Sequence, residues 1–123
     1  MQSGLLTDSF TAESIRSLAP DDWRHRAPDF QEPHLSRNLA LRDALRPIAQ
    51  RHGTTVSAVA VAWTIAWPGV AGAIVGARSP HQVDGWIGAA TLKLTSADLE
   101  EISAAIVRTG AGTGPTIPQL EHA

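Results

Sequence analysis

"VAGAIVGARSPHQ" (Val70–Gln82) runs a six-residue, largely apolar stretch into a glycine, an arginine and then Ser-Pro. Val70–Val75 lies between Gly69 and Gly76, the pattern of a strand buried on both faces of a parallel sheet. Ser79 with Pro80 behind it and Gln82 three residues on reads as a capping box, which opens a helix over Pro80–Ala90 with Val83, Ile87 and Ala90 inward. A strand that stops at a small residue, presents Arg78 and launches a helix can hold a phosphate. It can equally be a well-capped turn, and these thirteen residues leave both readings open.

Upstream, Val56–Ala66 is apolar on nearly every side, so a helix here is expected between two layers, capped by Thr55 and stopped by Pro68-Gly69. Trp63 and Trp67, four apart, belong to its packing. From Ser36 the spacing of Leu41, Ala44, Leu45, Ile48 and Ala49 marks one face of an amphipathic helix, bent at Pro47 and ended by Gly53. Before it, Ala19–Pro33 carries three prolines and three aspartates, a composition that interrupts regular hydrogen bonding. This stretch reads as a structured loop anchored by Trp23 and Phe30. Thr11 caps a short helix over Ala12–Leu18. Downstream, Thr95 and Asp98 repeat the capping device, and Leu99, Ile102 and Ile106 form the buried stripe of a final helix. A tail over residues 110–123, rich in Gly, Thr and Pro, is expected to be flexible.

The 123 residues include 43% hydrophobic residues and four Trp, enough for one core and one domain. A net charge of −2, spread over both signs, offers neither nucleic acid nor an acidic membrane a positive field. Without cysteine there are no disulfides and no thiolate nucleophile. The long apolar run Val56–Val75 is broken by Pro68 and glycines and does not read as a membrane span. No export signal stands at the N-terminus, so a cytoplasmic location is expected. The five histidines show no paired metal-ligand spacing and read as surface groups. A lone parallel strand cannot satisfy its own backbone edges, so the chain reads as part of a sheet protein.

"SGLLT" (3–7), "LRPIAQRHGTT" (45–55), "VAVAWTIAWPGVAGAIVGARSPHQVDGWIGAA" (59–90) and "LTSADLEEI" (94–102), in that order, resemble the C-terminal portion of aldo-keto reductases over roughly residues 1–108. The resemblance implies an α/β fold class: a C-terminal fragment of a (β/α)8 TIM barrel over residues 1–109, mainly helical, with Val70–Val75 as the last strand. It implies an NAD(P)H-dependent oxidoreductase that reduces carbonyls by hydride transfer. Gly76, Arg78 and Gln82 match cofactor-contacting positions, and Gly4 and Leu5 match the loop along the pyrophosphate. Barrel enzymes commonly bind phosphate between the loops after strands seven and eight, and Arg78 is placed to meet the 2′-phosphate of NADP. Where many relatives hold the adenine edge with an amide or carboxylate, this chain has Gly85 and Trp86, and the indole offers stacking instead. The family's reaction uses a Tyr general acid supported by Asp, Lys and His, whereas this chain has no Tyr. The resemblance therefore implies no catalytic residue here and no turnover by this chain alone.

Two other classes compete with that reading. "QRHGTTVSAVAVAWTIAW" (50–67) has the outline of a DNA-reading helix pair, but its second helix offers Ala, Val, Ile and Trp where Arg, Asn or Gln should face bases. A non-catalytic helical interaction module would fold by self-association, burying its exposed strand edge against another copy.

Overall fold

The computed structural model of the chain describes residues 2–118. Five α-helices lie among them: α1 (Ala12–Arg16), α2 (His34–Arg51), α3 (Val56–Ile65), α4 (Pro80–Asp84) and α5 (Ser96–Thr109). Short 3-10 turns occupy Trp23–His25, Pro28–Phe30 and Ile87–Ala90. The starts follow local chemistry. The Thr55 hydroxyl accepts the Ala58 N–H at 3.0 Å, and at α5 the Thr95 hydroxyl and the Asp98 carboxylate take each other's backbone N–H at 3.1 and 2.8 Å. α5 stops at Gly110, whose φ of 69° is left-handed and costs glycine nothing.

α2 starts two residues earlier than its apolar spacing suggests, because the Leu35 and Arg37 N–H groups find the Gln31 and Pro33 carbonyls. It continues past Pro47 to Arg51.

α3 lies between two packed layers, as its all-round apolarity suggests. Val56, Val59 and Ala60 join Leu45, Ile48, Ala49 of α2 and Ile102 of α5 in one cluster, while Ala58, Val61 and Ala62 pack with Ala89 in another. Ile48, Val56 and Val59 are completely shielded, each contributing roughly 1.5–3 kcal/mol of burial. A third cluster gathers Leu5, Phe10, Phe30 and Leu35, with Trp23 set edge-on to Phe30 at 5.9 Å.

The clear strand expected over Val70–Val75 is not formed, and no sheet exists among the described residues. Residues 70–77 carry no regular secondary structure, yet they keep a strand's alternation: Ala73 and Val75 face the α3 cluster while Ile74 points fully outward. An apolar run sets which side chains face inward, but a strand also needs neighbours that supply N–H and C=O groups, and none of the described residues do so. The edge that was expected to pair with another copy is therefore not a strand edge. The helix expected over Pro80–Ala90 is likewise shorter. α4 ends at Asp84, and the chain passes through Gly85 and Trp86 into a 3-10 turn.

Of the tail expected over 110–123, residues 119–123 lie outside the described residues. Within 110–118, Ala111 is buried and Thr116 accepts a 2.8 Å hydrogen bond from Ser103 of α5. No helix among the described residues is long and apolar enough to cross a membrane.

Candidate functional site

The turn at residues 76–82 lies on the surface. Gly76, Arg78, Ser79 and Gln82 are all exposed, and a side-chain carbon added at Gly76 would meet nothing within 4 Å. No ion pair among the described residues engages the Arg78 guanidinium, which leaves a cation beside open backbone. The capping box read from the spacing is not made, because the Ser79 hydroxyl caps nothing. The Gln82 side chain instead reaches one residue further back, and its carbonyl oxygen accepts the Arg78 N–H at 2.6 Å. A γ-carboxamide is long enough for either N–H, and the extended Ser79 backbone turns the Arg78 N–H toward it. Gln82 thus folds the turn around Arg78. Because α4 has only five residues, its dipole is small, and attraction for an anion rests mainly on the arginine.

The second segment, the loop at 3–10, is held tightly. Leu5 is wholly buried against Phe10, Phe30 and Leu35, so only its backbone can meet a ligand. Gly4 has a φ of 102°, a conformation a side chain would strain, and its carbonyl accepts the Thr7 hydroxyl at 2.7 Å. Two arginines of α2 hold the loop from below. Arg42, itself buried, donates to the Phe10 carbonyl, while Arg46 donates to the Asp8 carboxylate at 3.0 Å and to the Asp8 carbonyl at 3.3 Å.

No hydrogen bond or ion pair among the described residues joins the two segments directly, but the N-terminus of α3 holds both. The Val56 N–H donates to the other Asp8 carboxylate oxygen at 3.1 Å, and the hydroxyl of the adjacent Thr55 donates to the Gly85 carbonyl just after α4. Sequence spacing identified Thr55 as a cap and gave no sign of these tethers, because Gly85 lies 30 residues from Thr55 and Asp8 lies 48 from Val56. Replacing Asp8 by alanine leaves the Val56 N–H without that acceptor and reduces Arg46 to its contacts with Asp43 and the Asp8 carbonyl. We expect a stability loss of about 1 kcal/mol, with protection from amide exchange falling most at residues 4–10, which exchange mass spectrometry reads.

Trp86 is partly buried against the α3 cluster with its indole nitrogen buried, so most of the ring already serves packing. Asp98, expected to complete the cap with Thr95, is almost completely buried. Its carboxylate accepts from Arg51 at 2.8 Å and contacts His52 Nε2 at 2.7 Å, tying the end of α2 to the start of α5. Burial alone would raise its pKa. The hydrogen bonds from Arg51, the Thr95 N–H and His52 outweigh that and hold the carboxyl well below the usual carboxylate range. His52, read as a surface group, is thus part of a buried contact.

A family model described as the aldo/keto reductase family matches residues 1–107. The chain is 33% identical over 107 residues to the aldo-keto reductase YhdN of Bacillus subtilis, covering 86% of this chain and 32% of that protein. It is 30% identical over 101 residues to the aldo-keto reductase str7 of Strobilurus tenacellus, covering 82% and 29%. The chain spans about a third of the length of these relatives. The solved structure of the glycerol dehydrogenase AKR11B4 from Gluconobacter oxydans superposes with a TM-score of 0.78 at 29% identity, over 99% of this chain and 36% of that one.

Proposed function

From the premise that the chain belongs to the aldo/keto reductase family, we propose that it is the C-terminal cofactor-binding portion of an NAD(P)H-dependent carbonyl reductase, located in the cytoplasm. The observation that carries this reading is the exposed turn at Arg78, where a guanidinium without an ion pair among the described residues stands beside open backbone at Gly76.

In this proposal Arg78 meets the 2′-phosphate of NADP, and Gln82 keeps the turn folded around it by holding the Arg78 N–H. Gly4 and the Leu5 backbone line the pyrophosphate side, held in shape by Asp8, Arg42 and Arg46 before any ligand arrives. A loop ordered in advance loses less conformational entropy on binding. The bound cofactor supplies hydride to a carbonyl carbon. Transfer also needs a proton delivered to the carbonyl oxygen, and without a tyrosine this chain lacks the family's donor for it.

The reading is tested by two measurements on the purified chain. Calorimetric titration should show saturable NADPH binding, while an absorbance assay with NADPH and small aldehydes should show no oxidation above the protein-free rate. Turnover would overturn the assignment of no catalytic group, and absence of NADPH binding would overturn the cofactor role.

A further inference from the structure

We propose that Thr55 is a positioning residue for the choice of cofactor, acting through Gly85 to fix where Arg78 stands relative to the loop at 3–10. The inference rests on the cofactor reading above and adds to it a residue that itself touches no cofactor. Among the described residues, the bond from the Thr55 hydroxyl to the Gly85 carbonyl is the one hydrogen bond or ion pair that joins residues 71–92 to the rest of the chain. What otherwise holds this stretch is apolar packing, in which Ala73, Val75, Trp86 and Ala89 meet the α3 cluster. Such packing is non-directional. It seats the stretch on α3 without fixing the direction in which the turn points, and a hydrogen bond does fix it.

Local bonds carry the effect from Gly85 to Arg78. The Gly85 N–H donates to the His81 carbonyl at 3.2 Å, the Gln82 N–H to the Ser79 carbonyl at 3.2 Å, and the Arg78 N–H to Gln82 Oε1 at 2.6 Å. Residues 78–85 thus form one short unit, tethered at the end away from Arg78. On the other side, the Val56 N–H, next in the chain to Thr55, holds Asp8 at 3.1 Å, and Val56 is completely shielded. Two consecutive residues at the start of α3 therefore set the separation between the loop at 3–10 and the arginine. A cofactor held at one of these points meets the other at an effective concentration that depends on how rigidly the two are joined. Freeing Gly85 lowers that concentration for Arg78, and only NADPH, through its 2′-phosphate, uses Arg78 in this way.

Substitution separates the two tasks of this side chain. The Thr55 hydroxyl oxygen accepts the Ala58 N–H while its proton goes to Gly85. Serine retains both functions, whereas glycine is nearly as good a cap and has no proton to donate. In calorimetric titrations of the full chain, Thr55→Gly and Thr55→Ala should each weaken NADPH about three- to tenfold and NADH less than about twofold. Thr55→Ser should match the parent with both cofactors. Thr95→Ala removes the same kind of cap from α5 and should lower the melting temperature as Thr55→Ala does, with both affinities unchanged. If Thr55→Ala does not fold, the comparison rests on Thr55→Gly. Equal losses for the two cofactors, undiminished NADPH binding by Thr55→Gly, no recovery in Thr55→Ser, or the same loss in Thr95→Ala overturns the role of Thr55 while the cofactor reading stands. A parent chain that binds no NADPH overturns the cofactor reading itself, and the role of Thr55 with it.

Discussion

Replacing Asp98 by alanine should lower the unfolding free energy by about 2–4 kcal/mol, measured by urea denaturation at neutral pH. The carboxylate is nearly inaccessible and serves three donors on two elements: Arg51 and His52 from the end of α2, and the Thr95 N–H at the start of α5. Truncation leaves the Thr95 N–H and His52 without that acceptor and reduces Arg51 to its half-exposed bridge with Glu101. Asp98→Asn keeps the shape and one acceptor and should lose less. The same site gives an acid limit. Because the folded pKa lies below the ordinary value of 3.8, the unfolded chain binds the proton first as pH falls. The contribution of Asp98 is therefore full above about pH 5 and is lost as the pH falls through 3.8 toward the folded value. Parent and Asp98→Ala melting temperatures should converge in that range, and a gap that persisted unchanged at pH 3 would exclude the carboxylate as its source.

Arg78→Ala should reduce the preference for NADPH over NADH roughly ten- to hundredfold, because only NADPH brings the additional dianion, and a charge-assisted contact is worth about 1.5–3 kcal/mol. The arginine is exposed and makes no ion pair among the described residues, so its removal uncovers no buried partner and stability should hold. Added salt should narrow the parent's preference, since ions compete at an open site. Titrating each cofactor against parent and variant separates the outcomes. Equal losses for the two would mean that the turn plays no part in choosing between them.

The parts of this molecule that could be read from the sequence are those whose information lies within four residues. Thr55, Thr95 and Asp98 cap as their spacing suggests, and the faces of α2, α3 and α5 carry the aliphatic residues that the periodicity marks. Val70–Val75 could not be settled this way, because alternation fixes which residues face inward while pairing depends on other strands. Ser79 and Gln82 have the spacing of a capping box, but spacing alone does not decide which N–H a flexible amide takes. The tethers from Asp8 to Val56 and from His52 to Asp98 cross more than 40 residues and leave no periodic trace. The candidate cofactor residues were visible one by one through the family resemblance. Their common support at Thr55 and Val56 is a matter of tertiary structure.

The central cluster of Leu45, Ile48, Val56, Val59 and Ile102 closes without any strand, and that has a kinetic meaning. α2 and α3 are joined by only the four residues 52–55, so their contacts form at small loop-closure cost and early in folding. In the usual picture of an α/β protein, the slow step is bringing distant strands into register. Here the helical pair can be in place first, presenting Ala58, Val61 and Ala62 as a finished surface onto which Ala73 and Val75 settle. Under such an order, the extended segment is guided by the helices and settles last, along an already fixed track.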